Sequence, residues 1–152
     1  MATLGNVLWH VPFLGFLNAI IVYALGLLLT LTLVAAPLGR GLMEYGKFLL
    51  APYSRTMIST KDLGIKHSLV WKVLSVLVMI VYLPFGAVLW LATIVQIVLL
   101  FMTVVGIPVA GVLARSLGTY FNPVNKKCVP RAVAEELERR SAQEYIARHR
   151  NS

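Results

Sequence analysis

Two long stretches of this chain carry no charge. No Lys, Arg, Asp or Glu occurs in residues 1–39 or in residues 73–114, and every charged side chain lies between Arg40 and Lys72 or from Arg115 onward. Burying or solvating a chain in water normally needs charged residues along its whole length, about a quarter of them in all. Here 13% are charged and 59% are hydrophobic, so the water-facing surface of a soluble enzyme or DNA-binding domain cannot be built, despite a formal net charge of +8. The chain reads as an integral membrane protein.

A crossing of ~30 Å of hydrocarbon takes about 20 helical residues at ~1.5 Å each. Each uncharged stretch is about twice that length, which predicts a hairpin in each. Proline lacks a donor and glycine accepts turn geometry, so the bends are expected at Pro12 with Gly15, and at Pro84 with Gly86. The long arms then run over 16–36 and 87–107. The arms before Pro12 and over 69–83 are short, either tilted crossings or re-entrant elements. No basic residue precedes Arg40, so a cleaved signal peptide is not expected. The two basic segments both read as cytoplasmic by the positive-inside bias. That placement requires an even number of crossings between them.

A shift of 71 residues aligns Gly15 with Gly86, Thr32 with Thr103, Pro37 with Pro108, Leu42 with Leu113 and Pro52 with Pro123. The glycines and prolines weigh most, because they recur where the backbone must turn or start. The predicted fold class is therefore an all-α membrane protein of two tandem repeats. Residues 1–60 form the first repeat, with an amphipathic helix over 38–51 and a short extended segment over 53–60. A basic linker spans 61–68. Residues 69–130 form the second repeat, with a helix over 109–121 and an extended segment over 124–130. The helices have apolar residues at i, i+3 and i+4 spacing. Two placements are open for them: flat in the cytoplasmic interface, or packed on their own hairpin. The two extended segments are expected to pair as a small cytoplasmic sheet. Residues 131–152 form a charged cytoplasmic tail helix, with Glu135–Arg139, Glu136–Arg140 and Glu144–Arg148 as i,i+4 pairs.

Gly106-Ile107-Pro108-Val109, followed by an apolar helix and Asn122-Pro123-Val124, resembles the second repeat of the YccF family of small bacterial inner-membrane proteins. Ala36-Pro37-Leu38 through Leu50-Ala51-Pro52-Tyr53 is similar to its first repeat. The resemblance spans about residues 5–130. It implies a bacterial inner-membrane location and a duplicated domain, and it supplies no reaction. The family's closing Pro-aromatic-Gly reads Pro52-Tyr53-Ser54 and Pro123-Val124-Asn125 here; asparagine accepts left-handed geometry more readily than serine.

No enzyme motif is present, and no cofactor is expected. His10, His67 and His149 lie far apart with no Cys or carboxylate at ligand spacing, so no metal site is expected. His10 reads as an interfacial anchor of the first short arm, against a proton-sensing role. Cys128 is the only cysteine, which excludes a disulfide framework. The uncharged stretches also argue against an ion-coupled transporter. Their polar content is neutral: Asn18, Thr32, Thr93, Gln96 and Thr103 are the candidate pore-lining or helix-locking residues. Arg40, Lys47, Arg115, Lys126 and Lys127 are candidate contacts to anionic lipid headgroups. Pro12, Gly15, Pro37, Pro52, Pro84, Gly86, Pro108 and Pro123 are structural breaks, and Gly26, Gly106 and Gly111 are candidate sites of close helix contact. The sequence thus leads to a homo-oligomer enclosing a channel-like path for ions or small solutes. The other reading is a membrane scaffold or accessory subunit that binds anionic lipid and a partner protein. Nucleic acid is not expected as a partner.

Overall fold

The computed structural model describes residues 2–11, 14–104 and 106–150. In chain order the elements are α1 (Ala2–His10), α2 (Gly15–Leu31), α3 (Ala36–Leu50), β1 (Arg55–Ser59), α4 (Leu69–Phe101), α5 (Ile107–Phe121), β2 (Lys126–Pro130) and α6 (Arg131–Arg150). The fold is mostly helical. The two extended segments pair as expected: β1 and β2 are antiparallel, with Arg55 opposite Pro130 and Met57 opposite Cys128.

The hairpins turn elsewhere than the sequence suggests. The chain reverses at residues 32–35, between α2 and α3, and again between α4 and α5. Pro37 and Pro108 stand in the first turn of the returning helices, where the missing donor is one of the free ones anyway. The bend expected at Pro84 and Gly86 is absent, because α4 runs unbroken through Pro84. One interior proline costs a helix about 3 kcal/mol. Opening the helix in hydrocarbon would leave several backbone groups unpaired at several kcal/mol each, so continuity wins. Gly86 serves close packing instead: a Cβ there would meet the Tyr82 ring at 2.6 Å and the Phe121 carbonyl at 3.2 Å. In the first half the helix does break. Leu14 adopts φ 51 ahead of α2, and Gly15 sits against the Trp9 indole. Pro12 lies outside the described residues.

At ~1.5 Å per residue, α4 is about 50 Å long, more than one hydrocarbon thickness. Among the described residues it is the one helix long and apolar enough to cross a membrane, and most of its apolar surface is uncovered. Its charged end carries Trp71 and Lys72, residue types suited to a headgroup layer. The 17-residue α2 is apolar but shorter.

The two amphipathic helices are core elements. α3 packs lengthwise on α2, and α5 on α4, so of the two placements left open the contacts give packing on the preceding hairpin arm. A Cβ on Gly26 would stand 2.7 Å from both the Gly39 carbonyl and the Met43 amide. One turn from the other end, a Cβ on Gly46 would meet Tyr23 at 2.9 Å. Small residues on both helices thus let the backbones touch. Gly111, by contrast, has only the Tyr53 hydroxyl nearby, at 3.8 Å, and is no contact glycine. The core comprises Trp9, Ala19, Tyr45, Phe48, Leu49, Ile97, Val109, Ala110, Val112 and Leu113.

Positions 71 residues apart occupy matching places. α3 and α5 begin and end with that offset, as do β1 and β2. Thr32 and Thr103 each donate to the carbonyl three residues earlier, at 2.7 and 3.0 Å, at the ends of α2 and α4. Pro52 and Pro123 are both fully buried. The closing positions differ: Asn125 adopts φ 60, whereas Ser54 keeps an ordinary φ and holds Asn6 through its hydroxyl at 3.0 Å. On α6 the ion pairs are Arg131–Glu135, Arg139–Glu136 and Arg140–Glu136. Only Glu136–Arg140 of the three expected pairs is among them. All are solvent-exposed and contribute little.

Candidate functional site: a neutral cavity between the helical hairpins

The last carbonyls of a helix have no partner within it, and here side chains from other helices supply one. The Trp9 indole donates to the Leu49 carbonyl at 2.9 Å, and His10 Nε2 lies 2.8 Å from the Leu50 carbonyl, closing the end of α3. The His10 ring thus ties the end of α1 to the end of α3. The Tyr82 hydroxyl donates to the Tyr120 carbonyl at 2.9 Å and does the same for α5. Leu49 and Tyr120 are themselves 71 residues apart. The halves are then joined directly: the Tyr45 hydroxyl donates to that of Tyr120 at 2.9 Å, and Tyr53 donates to the Pro108 carbonyl at 2.6 Å.

Of these aromatic residues, Trp9, Tyr45, Tyr82 and Tyr120 border a cavity of about 440 Å³ that both hairpins line. Asn18 from α2 and Gln96 from α4 reach it, together with Tyr45, Tyr82, Thr119 and Tyr120. Among the described residues no charged side chain lines it. The Thr119 hydroxyl is buried without a hydrogen-bond partner, an unmet need that a ligand or water in the cavity would satisfy. Chemically the cavity offers amides and hydroxyls on an otherwise apolar wall, which suits small neutral or weakly charged species and gives no acid–base or nucleophilic group.

Of the five intramembrane polar candidates, the fold brings Asn18 and Gln96 together and leaves the threonines out. Thr93 donates to the Leu89 carbonyl at 2.7 Å within its own helix, and Thr32 and Thr103 lie at the hairpin turns. The sequence reading missed Tyr45, Tyr82, Thr119 and Tyr120. The signal available was that a tyrosine amid apolar residues needs a partner for its hydroxyl.

The basic candidates divide similarly. Arg40, Lys126 and Lys127 share a depression of about 210 Å³ between α3, β2 and the linker after β1. The Arg40 guanidinium lies over the Trp71 ring at 4.4 Å, a favourable stack. Lys126 donates to the Gly118 carbonyl at 2.7 Å, and burial pushes its pKa below the usual lysine value. Arg115 is elsewhere, 5.2 Å over the Tyr53 ring. Lys47 is held by Glu44 at 2.6 Å, and that bond raises its pKa. The other Glu44 oxygen accepts from the Cys128 amide at 2.9 Å. Cys128 is half-buried, and burial, the largest cause, pushes its thiol pKa up.

No curated protein and no solved structure matches the chain. Residues 4–55 match the family model YccF, inner membrane component domain. The matched part runs from within α1 to the first residue of β1, and so takes in the first hairpin and its closing anchors. The uncharged stretches, the uncovered apolar helix and this match lead to one conclusion: the chain is a membrane protein whose residues 4–55 are similar to a YccF inner membrane component domain.

Proposed function

We propose that the chain is a multi-pass inner-membrane protein built of two tandem units, which self-associates and provides a channel-like pathway for ions or small solutes. The observation that carries this reading is the neutral cavity, where Asn18 and Gln96 converge with the tyrosine hydroxyls and the unpartnered Thr119. A path for dehydrated solutes needs polar groups that replace water without binding too tightly, and uncharged amides and hydroxyls do this. The cavity lies within one chain, so the pathway runs through each protomer rather than between copies. Duplication fits the shared 71-residue offset of α3 with α5, of β1 with β2, and of Thr32 with Thr103. Both basic segments, and with them α6, are read as cytoplasmic. Flux through proteoliposomes tests this: wild type should conduct, and Gln96→Leu and Asn18→Leu should lower the rate. Absence of flux for every ion and solute tried would overturn it.

A second reading rests on a separate observation, the joint depression of Arg40, Lys126 and Lys127 beside the apolar helices. There the protein transports nothing and serves as a scaffold or accessory subunit on anionic lipid, with α6 contacting a partner. Loss of membrane-partner capture on deleting residues 131–152, with no flux in wild type, would favour it. Neither reading requires an enzyme: the cavity offers amides and hydroxyls but no activated nucleophile or base, and the assignment as a non-enzyme remains part of the proposal.

A further inference from the structure

We infer that the groove at the start of α4 binds one anionic phospholipid, its headgroup on Lys61, Lys66 and Lys72 and its acyl chain along Val76 and Ile80. The inference rests on the inner-membrane reading above, with the linker after β1 at the cytoplasmic surface. The groove, about 710 Å³, lies between that linker, the first turns of α4 and residues 122–125. It adjoins the depression that holds Arg40, Lys126 and Lys127, sharing Thr60, Ile65, His67 and Asn125 with it.

Its walls differ in chemistry. Lys61, Lys66 and Lys72 put three exposed cations on the lining, from the linker and the first turn of α4, and no Asp or Glu lines the groove among the described residues. Asp62, although next to Lys61, lines a separate hollow beneath α6. The α4 N-terminus adds its positive dipole end there. Farther along α4 the wall is apolar. Lys72, Val76, Met79 and Ile80 follow i, i+4, i+7 and i+8 spacing, so they form one stripe along the helix. Val76 and Ile80 are 59% and 65% exposed, too apolar to face water and matched to a lipid chain. From Lys72 to Ile80 is about 12 Å of helix, the distance from a phosphate to the upper part of an acyl chain. The floor holds the buried Asn122 Oδ1, which has no hydrogen-bond partner and suits a glycerol hydroxyl. Asn125 fixes the groove's geometry: its side-chain oxygen accepts from Trp71 and Ser75 at 3.3 and 3.4 Å, and its carbonyl accepts from Thr60 at 3.0 Å. A free phosphoester would use the lysines but leave the apolar stripe uncovered, so a membrane lipid is the better fit.

The test is native mass spectrometry of the full chain, extracted from membranes and titrated with phosphatidylglycerol or with phosphatidylethanolamine of the same acyl chains. One phosphatidylglycerol should be retained in preference. Lys61→Gln, Lys66→Gln and Lys72→Gln combined should cut that preference by at least about tenfold, since each basic residue near a membrane surface contributes measurably. Removing the same charge from α6, with Arg131→Gln, Arg139→Gln and Arg140→Gln, should leave it unchanged. Ile80→Asn should weaken retention with the lysines intact. Equal loss in both triple variants would overturn the inference, as would full competition by soluble glycerol phosphate. A chain found outside the membrane fraction would overturn the membrane reading itself. A membrane-bound chain without lipid preference would overturn only the groove.

Discussion

The hydroxyls of Tyr45 and Tyr120 meet at 2.9 Å, with the rings edge to face at 5.4 Å between centroids. One residue belongs to α3 and the other to α5, so the pair ties the two helical hairpins together inside the core. Tyr45→Phe and Tyr120→Phe keep the ring contact and remove one hydroxyl each. Each should lower stability by about 1 kcal/mol, the usual net value of a hydrogen bond. The double variant should cost less than the sum, because both changes break one bond. Thermal unfolding in detergent reads this directly, and strictly additive losses would show that the hydroxyls act independently.

Two glycines of similar sequence context should respond in opposite directions. A Cβ on Gly39 would meet the Gly26 carbonyl and the Thr30 amide at 2.6 Å, and backbone cannot move aside as a side chain can. Gly39→Ala should therefore separate α2 from α3 and lower stability by about 1–3 kcal/mol, the range for overpacking. Gly111→Ala has open space in a helix interior, where alanine is favoured by roughly 0.5–1 kcal/mol. A rise in melting temperature for Gly39→Ala would contradict the packing described for α2 and α3, and a fall for Gly111→Ala would contradict the open space at that position.

The position of the second turn can be mapped by labelling. In a Cys128→Ser background, Met102→Cys places a thiol in the turn after α4, where the side chain is 82% exposed. Phe85→Cys places one in mid-helix. A membrane-impermeant maleimide added to intact spheroplasts should label the first and not the second. Labelling of Phe85→Cys alone would restore the bend at Pro84 and Gly86.

Much of this architecture was legible in the sequence, and the misses have physical causes. The uncharged stretches, the paired strands and the tail helix rest on local patterns that tertiary contacts reinforce. The hairpin turns were misplaced because proline has two meanings in a membrane helix. Pro37 and Pro108 mark helix starts, whereas Pro84 is an interior residue of α4. The threonines were overread because a hydroxyl can satisfy itself on its own helix, as Thr32, Thr93 and Thr103 do. The cavity was half visible: Asn18 and Gln96 stand out by composition, but Tyr45, Tyr82 and Tyr120 join them only through contacts distant in sequence.

Cys128 offers a pH readout. Burial, the largest cause, raises its thiol above the ordinary value; Glu44 adds to this, and Arg55 partly offsets it. The folded state thus holds the proton more tightly than the unfolded chain. Below the ordinary thiol value both states are protonated and the group contributes nothing to stability. As pH rises past that value the unfolded chain ionises first, and the fold loses stability. Maleimide alkylation of the native protein should accordingly show a more alkaline midpoint than that of glutathione. Arg55→Gln removes the offsetting cation and should move it further up. A midpoint at or below that of glutathione would mean that the thiol is not desolvated.

Glu44 is the acidic residue of α3, and it closes an exposed strand edge. One oxygen takes Lys47 at 2.6 Å and the other takes the Cys128 amide at 2.9 Å. Cys128 lies opposite Met57 on β2, and its amide points away from β1 toward α3. Unpaired edge amides invite association with other strands, so the carboxylate both satisfies the amide and blocks the edge. Glu44→Ala removes the acceptor and strands Lys47; the expected loss is about 1.5–3 kcal/mol, the range for a hydrogen bond to a charged group. Glu44→Gln keeps an acceptor for the amide and loses only the ion pair, which at a partly exposed site is worth roughly 0–1 kcal/mol. Amide exchange at Cys128 separates the two contributions: it should accelerate in Glu44→Ala and stay slow in Glu44→Gln. Equal destabilisation with slow exchange in both would assign the stabilisation to Lys47 and leave the edge closed by something other than Glu44.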